Sequence, residues 1–561
     1  MTKWVYIILI TLFGLWGMRA LFHPGFYTSL DGWHNIARLY HFDKIISQGI
    51  FPPRWSTELA NGYGYPLFVF SYHTPWLIAE PFIKLGVGII DGVKLVEILG
   101  FVLSGIFMFL FVKDIAGEKA GLISGIIYMW TPYRFAKILV GASVGEATVF
   151  MFLPLLFWSL YKVSKTGSKR FLVLGSVSFA ALVMSHLMII PLLSFLLVFY
   201  LIYLLRETKD RKKFVFNVFL LFTLGIGLSA YYSIPVFRYS SIIKAKTDTG
   251  FADMYKNHFV NLSQLIYSPW GYGPIINNAK EGSISFQAGV AQWLAVAITF
   301  LWLCLSLFKV KLKNVFNNSN KLLVFFLLLS FALSVFLMTD YSYPVWKLAK
   351  NIFNIDYPWR FLTVTTFTGS VLAGLTVCLF KKYRNFLIVL FIIIALYTNK
   401  NHVRVNQYTD VPLSLYIASE TTTNTFSEYL PKWSEVNIGQ QPKGIIGENN
   451  DITSREIKVN TNSMESQINA IRETKMTINQ LYFPGMEVYR DNKKMQFNYD
   501  GDGRISLKVP QGIQIIKIIF ERSPLMKISE LISLFSLILL ICLSLCNWQK
   551  IRAKVHPPLS S

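Results

Sequence analysis

The chain has 561 residues, 53% hydrophobic and 16% aromatic, with 54 Lys and Arg against 31 Asp and Glu, a formal net charge of +23. The mean hydropathy is +0.44, and the apolar residues gather into segments approaching the ~20 that a bilayer-spanning helix needs, which excludes an ordinary soluble globular class. Such positive charge would suit nucleic acid, but residues 399–525 hold 15 basic and 14 acidic residues and the excess lies in short loops between apolar segments. That is the positive-inside pattern of a polytopic membrane protein with no nucleic-acid partner.

In chain order, Lys3 precedes an apolar run from Trp4 to Phe22 that reads as an uncleaved signal anchor, since Met18-Arg19-Ala20 is a poor cleavage site. Further spans are expected at 92–112, 118–132, 146–161, 170–185, 187–206, 214–237, 287–308, 321–339, 359–380, 385–398 and 527–547, twelve in all. Segment 67–84 is apolar too. Reading it as an interfacial helix puts the loops Lys162–Arg170, Arg206–Lys213, Lys309–Lys321, Lys381–Arg384 and Lys550–Lys554, with 19 basic and two acidic residues, on the cytoplasmic side together with both termini. External regions are then 23–91, 133–145, 238–286, 340–358 and 399–526. Residues 1–398 form a transmembrane domain, 399–526 an extracytoplasmic β-rich domain, and 527–561 a last span with a basic tail. Within the β-rich domain, alternation over 456–459, 495–499, 505–509 and 513–520 predicts strands. Asp491-Asn492 and Asp500–Gly503 predict hairpin turns, so a small β-sandwich is expected. The four cysteines, Cys304, Cys378, Cys542 and Cys546, all lie in apolar segments and suggest neither disulfides nor a CxxC metal site.

The loop after the first span carries the densest chemistry. A helix is expected near 33–48, and Asp31, His34 and Arg38 recur at spacings of three and four on one of its faces. Such residue types bind phosphate or a metal, although a solvated polar face would look the same. Glu146 opens a later span, where an acid is costly unless it is paired or faces a polar cavity. Its plain alternative is a charge favoured at a helix N-terminus. Arg134, in Thr131-Pro132-Tyr133-Arg134, reads as a phosphate ligand or an interfacial anchor. Arg360, in Tyr357-Pro358-Trp359-Arg360, is a phosphate clamp or a snorkelling side chain. His73 joins these arginines as a candidate for the donor phosphate. Trp270 and Tyr272, in Tyr267–Gly273, offer flat surfaces for a sugar or acceptor, or belong to an aromatic belt. His186 reads as a satisfied polar residue in a re-entrant turn. No Walker A, GxGxxG, GxSxG or HExxH motif is present.

The stretches DGWHNIAR, GIFPPRW, GYGYPLFVFSYHTP, TPYR followed by GASVGE, LVMSH, LSAYYSIPVF, YSPWGYG, SFQAG, YPWRFL and YFPGMEVYRDNKK occur in this order from Asp31 to beyond Lys493. This order resembles the bacterial "6-pyruvoyl-tetrahydropterin synthase-related" membrane family and the larger membrane proteins that glycosylate lipoteichoic acid. The soluble pterin enzymes of that label are small and have no spans, and nothing here reads as their fold. The layout also resembles GT-C membrane glycosyltransferases, which have an acid and two interfacial helices in the first external loop. That resemblance implies a bacterial plasma-membrane enzyme using a polyprenyl-phosphate sugar and an acceptor from the cell envelope. Asp31 would be the general base of an inverting displacement. Arg38, Arg134 and Arg360 would steady the leaving phosphate. A divalent metal (Mg or Mn) held by Asp31, His34 and Glu146 would be a substitute or an addition. The alternatives are a flippase for lipid-linked glycans, which needs cavity and cations but no base, and a non-catalytic envelope-assembly protein working through its β-domain.

Overall fold

The computed structural model describes residues 2–247, 253–273, 284–307, 318–349, 357–417, 428–436, 438, 444–447 and 450–555. Residues 309–317 of the expected basic loop and Ile355-Asp356 lie outside the described residues.

Each of the twelve apolar segments is helical. The helices are α1 (Thr2–Gly17), α5 (Ile89–Ala116), α6 (Glu118–Met129), α8 (Val144–Thr166), α9 (Lys169–Ser185), α10 (Ile189–Glu207), α11 (Arg211–Tyr239), α12 (Val290–Leu307), α13 (Asn318–Met338), α14 (Leu362–Leu379), α15 (Arg384–Thr398) and α16 (Pro524–Val555). Among the described residues seven helices, α5, α8, α10, α11, α13, α14 and α16, are long and apolar enough to cross a membrane. The other five have 12 to 18 residues. The shortest, α6, rises only ~18 Å against a ~30 Å hydrocarbon core. Local chemistry sets the ends. The Asp210 carboxylate accepts from the backbone N–H of Lys213 at 3.0 Å to start α11. Gly167, at φ +60, ends α8 in the left-handed conformation a side chain would resist. Helices α5 and α8 touch backbone to backbone at Gly100, where a Cβ would meet the Ala147 carbonyl at 2.9 Å.

The first loop supplies α2 (Gly32–Ser47), close to the helix expected there. Segment 67–84 is not one helix. It splits into α3 (Leu67–Phe70) and α4 (Thr74–Lys84), too short to cross a bilayer. The break at Ser71-Tyr72-His73 is held by the His73 N–H donating to the Met184 carbonyl at 2.9 Å. Region 133–145, expected as an external loop, is built of regular turns. It forms the short helix α7 (Pro132–Phe135) and a π-turn (Ala136–Val140), both fully buried. The thirteen-residue stretch is largely apolar apart from Arg134 and Lys137, so burial satisfies it.

Strands β1 (Phe26–Tyr27) and β2 (Tyr408–Thr409) pair antiparallel and tie the first loop to the chain leaving α15. The C-terminal β-region comprises β3 (Ile445–Gly447), β4 (Ile452–Asn460), β5 (Ser463–Ala470), β6 (Thr474–Leu481), β7 (Met486–Arg490), β8 (Lys493–Met495), β9 (Asn498–Tyr499), β10 (Arg504–Val509) and β11 (Gly512–Phe520). They form two antiparallel sheets, ordered β3-β6-β10-β9 and β4-β5-β11-β7-β8. Both expected turns are present. Asp491 and Asn492 carry positive φ between β7 and β8, and Asp500–Gly503 joins β9 to β10. Alternate residues such as Ile468, Met476, Ile478, Val488, Ile505 and Val509 are fully buried.

The β-region is built onto the first loop. Trp55 is buried and stacks on Phe520 at 5.6 Å. The Thr57 N–H donates to the Thr461 carbonyl at 2.8 Å, and the Leu481 N–H to the Tyr63 carbonyl at 2.8 Å. Gln480 Nε2 donates to the Gly62 carbonyl at 2.6 Å. Arg54, also buried, pairs with Glu530 of α16 at 3.3 Å. Trp55→Ala removes the stacked indole at this junction and is expected to destabilise the docked state by about 3–5 kcal/mol. Thermal unfolding in lipid nanodiscs measures that loss.

Candidate active site

A cavity of about 430 Å³ opens where α2, the α3–α4 break, the π-turn, the α9–α10 connection, the end of α11 and the start of α14 converge. That volume lies in the range of small-molecule sites. Residues from remote parts of the sequence line it, including Asp31, His34, Arg38, Tyr72, Lys137, Glu146, His186, Trp359, Arg360, Glu428 and Tyr429.

Two groups of charges face each other. The first belongs to α2. Asp31 precedes its first turn and is exposed. Its backbone N–H donates to the Gly141 carbonyl at 2.9 Å, and the Leu30 N–H to the Val140 carbonyl at 3.0 Å. Ser143 Oγ donates to the Asp31 carboxylate at 3.4 Å. Asn35 Nδ2 donates to the Ala142 carbonyl at 2.6 Å, and the Tyr72 hydroxyl donates to Asn35 Oδ1 at 2.5 Å. These bonds fasten α2 to the segment after the π-turn, so the carboxylate sits on a fixed backbone. Arg38 lies about two turns further along α2. Its Nη1 donates to the Tyr72 hydroxyl at 3.4 Å, and its Nε is buried with no hydrogen-bond partner among the described residues. Burial disfavours its charge, but Tyr72, Tyr429, Glu428 and Asp31 outweigh this and raise its pKa, so Arg38 stays cationic.

The second group is centred on Glu146 in the first turn of α8. Glu146 is 2% exposed, and its Oε1 forms an ion pair with Lys137 Nζ at 2.7 Å and accepts from Arg360 Nη1 at 2.9 Å. Its Oε2 accepts from the Tyr133 hydroxyl at 2.9 Å. Lys137 and Arg360 are themselves only 6% and 8% exposed. Lys137 sits over the Trp359 ring at 4.7 Å, and Arg360 over the Tyr357 ring at 5.2 Å. Arg360 Nη1 also donates to His186 Nε2 at 2.8 Å. A guanidinium only donates, so this His186 nitrogen is an acceptor.

The structure thus brings together Asp31, His34, Arg38, Glu146 and Arg360 and places the remaining candidates elsewhere. Arg134 does not line the cavity. It is fully buried against α5, donating to Ser104 Oγ at 3.1 Å and to the Gly100 carbonyl at 3.3 Å, with the Phe150 ring 4.2 Å away. His73 is also buried outside it. Its two ring nitrogens lie 2.8 Å from the Phe68 carbonyl and 3.2 Å from the Tyr231 hydroxyl. Burial, helped by the nearby Arg54, pushes its pKa down to about 3, so it is neutral and unsuited to binding phosphate. Trp270 stacks on His402 at 4.1 Å, and the Tyr272 hydroxyl donates to the Arg404 carbonyl at 3.1 Å, so both brace the chain leaving α15. Asp31, His34 and Glu146 do not form a cluster able to hold a metal among the described residues. Both Glu146 oxygens are already engaged, so this ligand set does not fit a divalent cation.

Sequence reading missed Lys137, Tyr72, Glu428, Tyr429 and the cavity role of His186. Lys137 follows Arg134 by three residues, a spacing that puts both on one α-helical face. The π-turn winds more slowly and sends them to different neighbours. The charges of Arg134, Lys137, Glu146 and Arg360 in apolar surroundings were the available signal, since each needs a partner when buried.

No protein-family model matches the chain. A Lactococcus lactis subsp. cremoris (strain MG1363) protein described as uncharacterized is 25% identical over 244 residues, which are 42% of this chain and 39% of that one. Among solved structures, the Archaeoglobus fulgidus oligosaccharyltransferase in its apo form matches with a TM-score of 0.45 and 12% identity over 73% of this chain and 57% of that one. The archaeal oligosaccharyltransferase AglB from the same organism, in complex with an inhibitory peptide and a dolichol-phosphate, matches with a TM-score of 0.46 and 10% identity, covering 73% and 56%. The chain therefore spans about two fifths of the first relative's length and somewhat over half of the others'.

The burial of His73 has a measurable consequence. Below pH 6.5 the unfolded chain takes up a proton that the folded His73 refuses until about pH 3. Stability therefore falls as pH is lowered through that window, by up to about 1.4 kcal/mol per pH unit from this residue. The stability difference between wild type and His73→Gln is expected to shrink between pH 6.5 and 4 in denaturant titrations. A pH-independent difference would contradict the burial.

Proposed function

We propose that this protein is an integral-membrane glycosyltransferase that moves a sugar from a polyprenyl-phosphate donor to an acceptor hydroxyl of the cell envelope. The observation that carries the reading is the pairing, across one cavity, of an exposed carboxylate beside Arg38 with the buried Lys137–Glu146–Arg360 cluster. A displacement at an anomeric carbon needs both a base for the incoming hydroxyl and positive charge for the outgoing phosphate.

In this scheme the acceptor oxygen attacks the anomeric carbon as Asp31 takes its proton. The bond from that carbon to the phosphate oxygen breaks, its electron pair leaves with the phosphate, and configuration inverts. Arg38 and the cations around Glu146 meet the charge that develops on the phosphate. Trp359, Tyr357, Tyr72 and Tyr429 give the walls flat faces for the sugar ring and the first prenyl unit.

Helix geometry supports catalysis on the face away from the basic loops. Glu146 is at one end of α8, and Lys165, which pairs with Glu207 at 3.3 Å, is at the other. A 23-residue helix rises ~34 Å. Likewise α11 begins at Arg211 and brings Tyr232 and Val236 to the cavity. With the basic loops cytoplasmic, the cavity faces outward, where donors carry their sugar on lipid phosphate rather than on a nucleotide.

The test is label transfer from radiolabelled polyprenyl-phosphate sugars to crude envelope acceptor by the full-length protein in lipid. Asp31→Asn is expected to lower transfer by about 10²–10⁴-fold. Because Asp31 is exposed and only weakly bonded, its melting temperature should stay near wild type. Equal transfer by both proteins would remove the base assignment. A variant that still moves lipid-linked glycan across the bilayer, with no transfer by wild type, would favour the flippase.

A further inference from the structure

We infer that Tyr72 is a positioning residue of the phosphate site, its hydroxyl holding the Arg38 guanidinium in register with Asp31. The inference rests on the glycosyl-transfer reading above and names what aims the arginine that meets its phosphate.

The hydrogen bonds form a chain with one possible direction. The Ala142 carbonyl can only accept, so the Asn35 amide turns its Nδ2 that way, at 2.6 Å. Asn35 Oδ1 then faces Tyr72 and can only accept, so the Tyr72 hydroxyl commits its one proton there, at 2.5 Å. Towards Arg38 the hydroxyl has lone pairs alone. They meet a guanidinium, which only donates, at 3.4 Å. Among the described residues this is the one hydrogen bond of the Arg38 side chain, and its Nε is buried without a partner. A guanidinium carries five N–H donors, so donors remain for a phosphate in the cavity that Arg38 lines.

The chain is anchored beside the base. The Asp31 N–H donates to the Gly141 carbonyl at 2.9 Å, and the Asn35 N–H to the Asp31 carbonyl at 3.0 Å. Asp31 and Arg38 are thus tied to neighbouring peptide units, Asp31 directly at Gly141 and Arg38 through Tyr72 and Asn35 at Ala142. The Tyr72 ring is itself held. It projects from the break between α3 and α4, 5.5 Å from the buried Trp76 ring. On its other side it packs against Gly145 in the first turn of α8, where a Cβ would meet the ring at 3.2 Å and the Ser185 carbonyl at 2.8 Å. Phenylalanine keeps this packing and loses only the oxygen, so Tyr72→Phe isolates what the hydroxyl does.

A double-mutant cycle on binding of a short-chain polyprenyl monophosphate, the product left when the sugar departs, tests this apart from turnover. Wild type, Tyr72→Phe, Arg38→Gln and the double variant, each full-length in nanodiscs, are titrated by microscale thermophoresis. Arg38→Gln is expected to weaken binding by about tenfold to a hundredfold, the range for a lost hydrogen bond to a charged group. Tyr72→Phe is expected to weaken it by about threefold to tenfold, the range of one net hydrogen bond. A hydroxyl that acts only through Arg38 has nothing left to do once the guanidinium is gone, so the double variant should match Arg38→Gln within about twofold. Tyr72→Phe with wild-type affinity would overturn the inference. So would an equal loss in both backgrounds, which would mean that the hydroxyl touches the ligand itself or serves the fold at large. Arg38→Lys keeps the charge and closes the same cycle where Arg38→Gln does not fold. Transfer that depends on Asp31, with Tyr72→Phe unaffected or uncoupled, would keep the transferase and reject the role of Tyr72. Coupled phosphate binding with no transfer to any acceptor would keep that role and reject the transferase. Wild type that does not bind the monophosphate would overturn both.

Discussion

The convergence of Lys137 and Arg360 on one oxygen of Glu146 is the constraint on which the rest of the site depends. Three charges this deeply buried survive only as a set, because removing one partner leaves another uncompensated at about 3–5 kcal/mol. Meeting that condition dictates several local irregularities. The π-turn brings Lys137 to the first turn of α8. The tight turn at Pro358–Phe361 presents Arg360 from a strand-like approach. The α9–α10 connection places His186 against the same guanidinium. Each is a departure from regular helix that would otherwise lack a physical reason.

A second layer of structure keeps the cavity open. Between Phe51 and Tyr65 the first loop closes on itself through the Ser56–Tyr65 bridge and the turns over residues 58–64, and the C-terminal sheets add bonds to it at Thr57, Gly62 and Tyr63. From the same side, the Tyr429 N–H donates to the Tyr65 hydroxyl at 2.9 Å, and the Ala245 N–H to the Glu428 carbonyl at 2.9 Å. Glu428 and Tyr429 thereby complete a wall begun by Tyr72 and Arg38. Loop, sheets and cavity form one folding unit although they are hundreds of residues apart.

Much of the fold was legible in the sequence because it follows from local pattern. Apolar runs marked every long helix, the three-and-four spacing marked α2, and Asp491-Asn492 and Asp500–Gly503 marked their hairpins. Strands β5 and β6 were not legible. Ser463–Ala470 and Thr474–Leu481 bury Ser466, Asn479 and Gln480 among their apolar residues, which masks the alternation. Within the site, Asp31 and Arg38 could be found from spacing and Glu146 from the cost of an acid opening a span. Lys137 could not, since its role requires a π-turn and a partner, Arg360, whose own bond to Glu146 spans 214 residues. Arg134 and His73 misled for the opposite reason. Their residue types suit phosphate, but packing against Phe150 and Phe68 turns both away from the cavity.

The most direct measurement is the structure of the full-length protein in nanodiscs with a non-cleavable phosphonate analogue of a polyprenyl-phosphate sugar. The account predicts the phosphonate beside Lys137 and Arg38, with the anomeric carbon turned toward Asp31. A phosphonate seated elsewhere, at Arg134 or along the basic loops, with the cavity left without ligand, would contradict it.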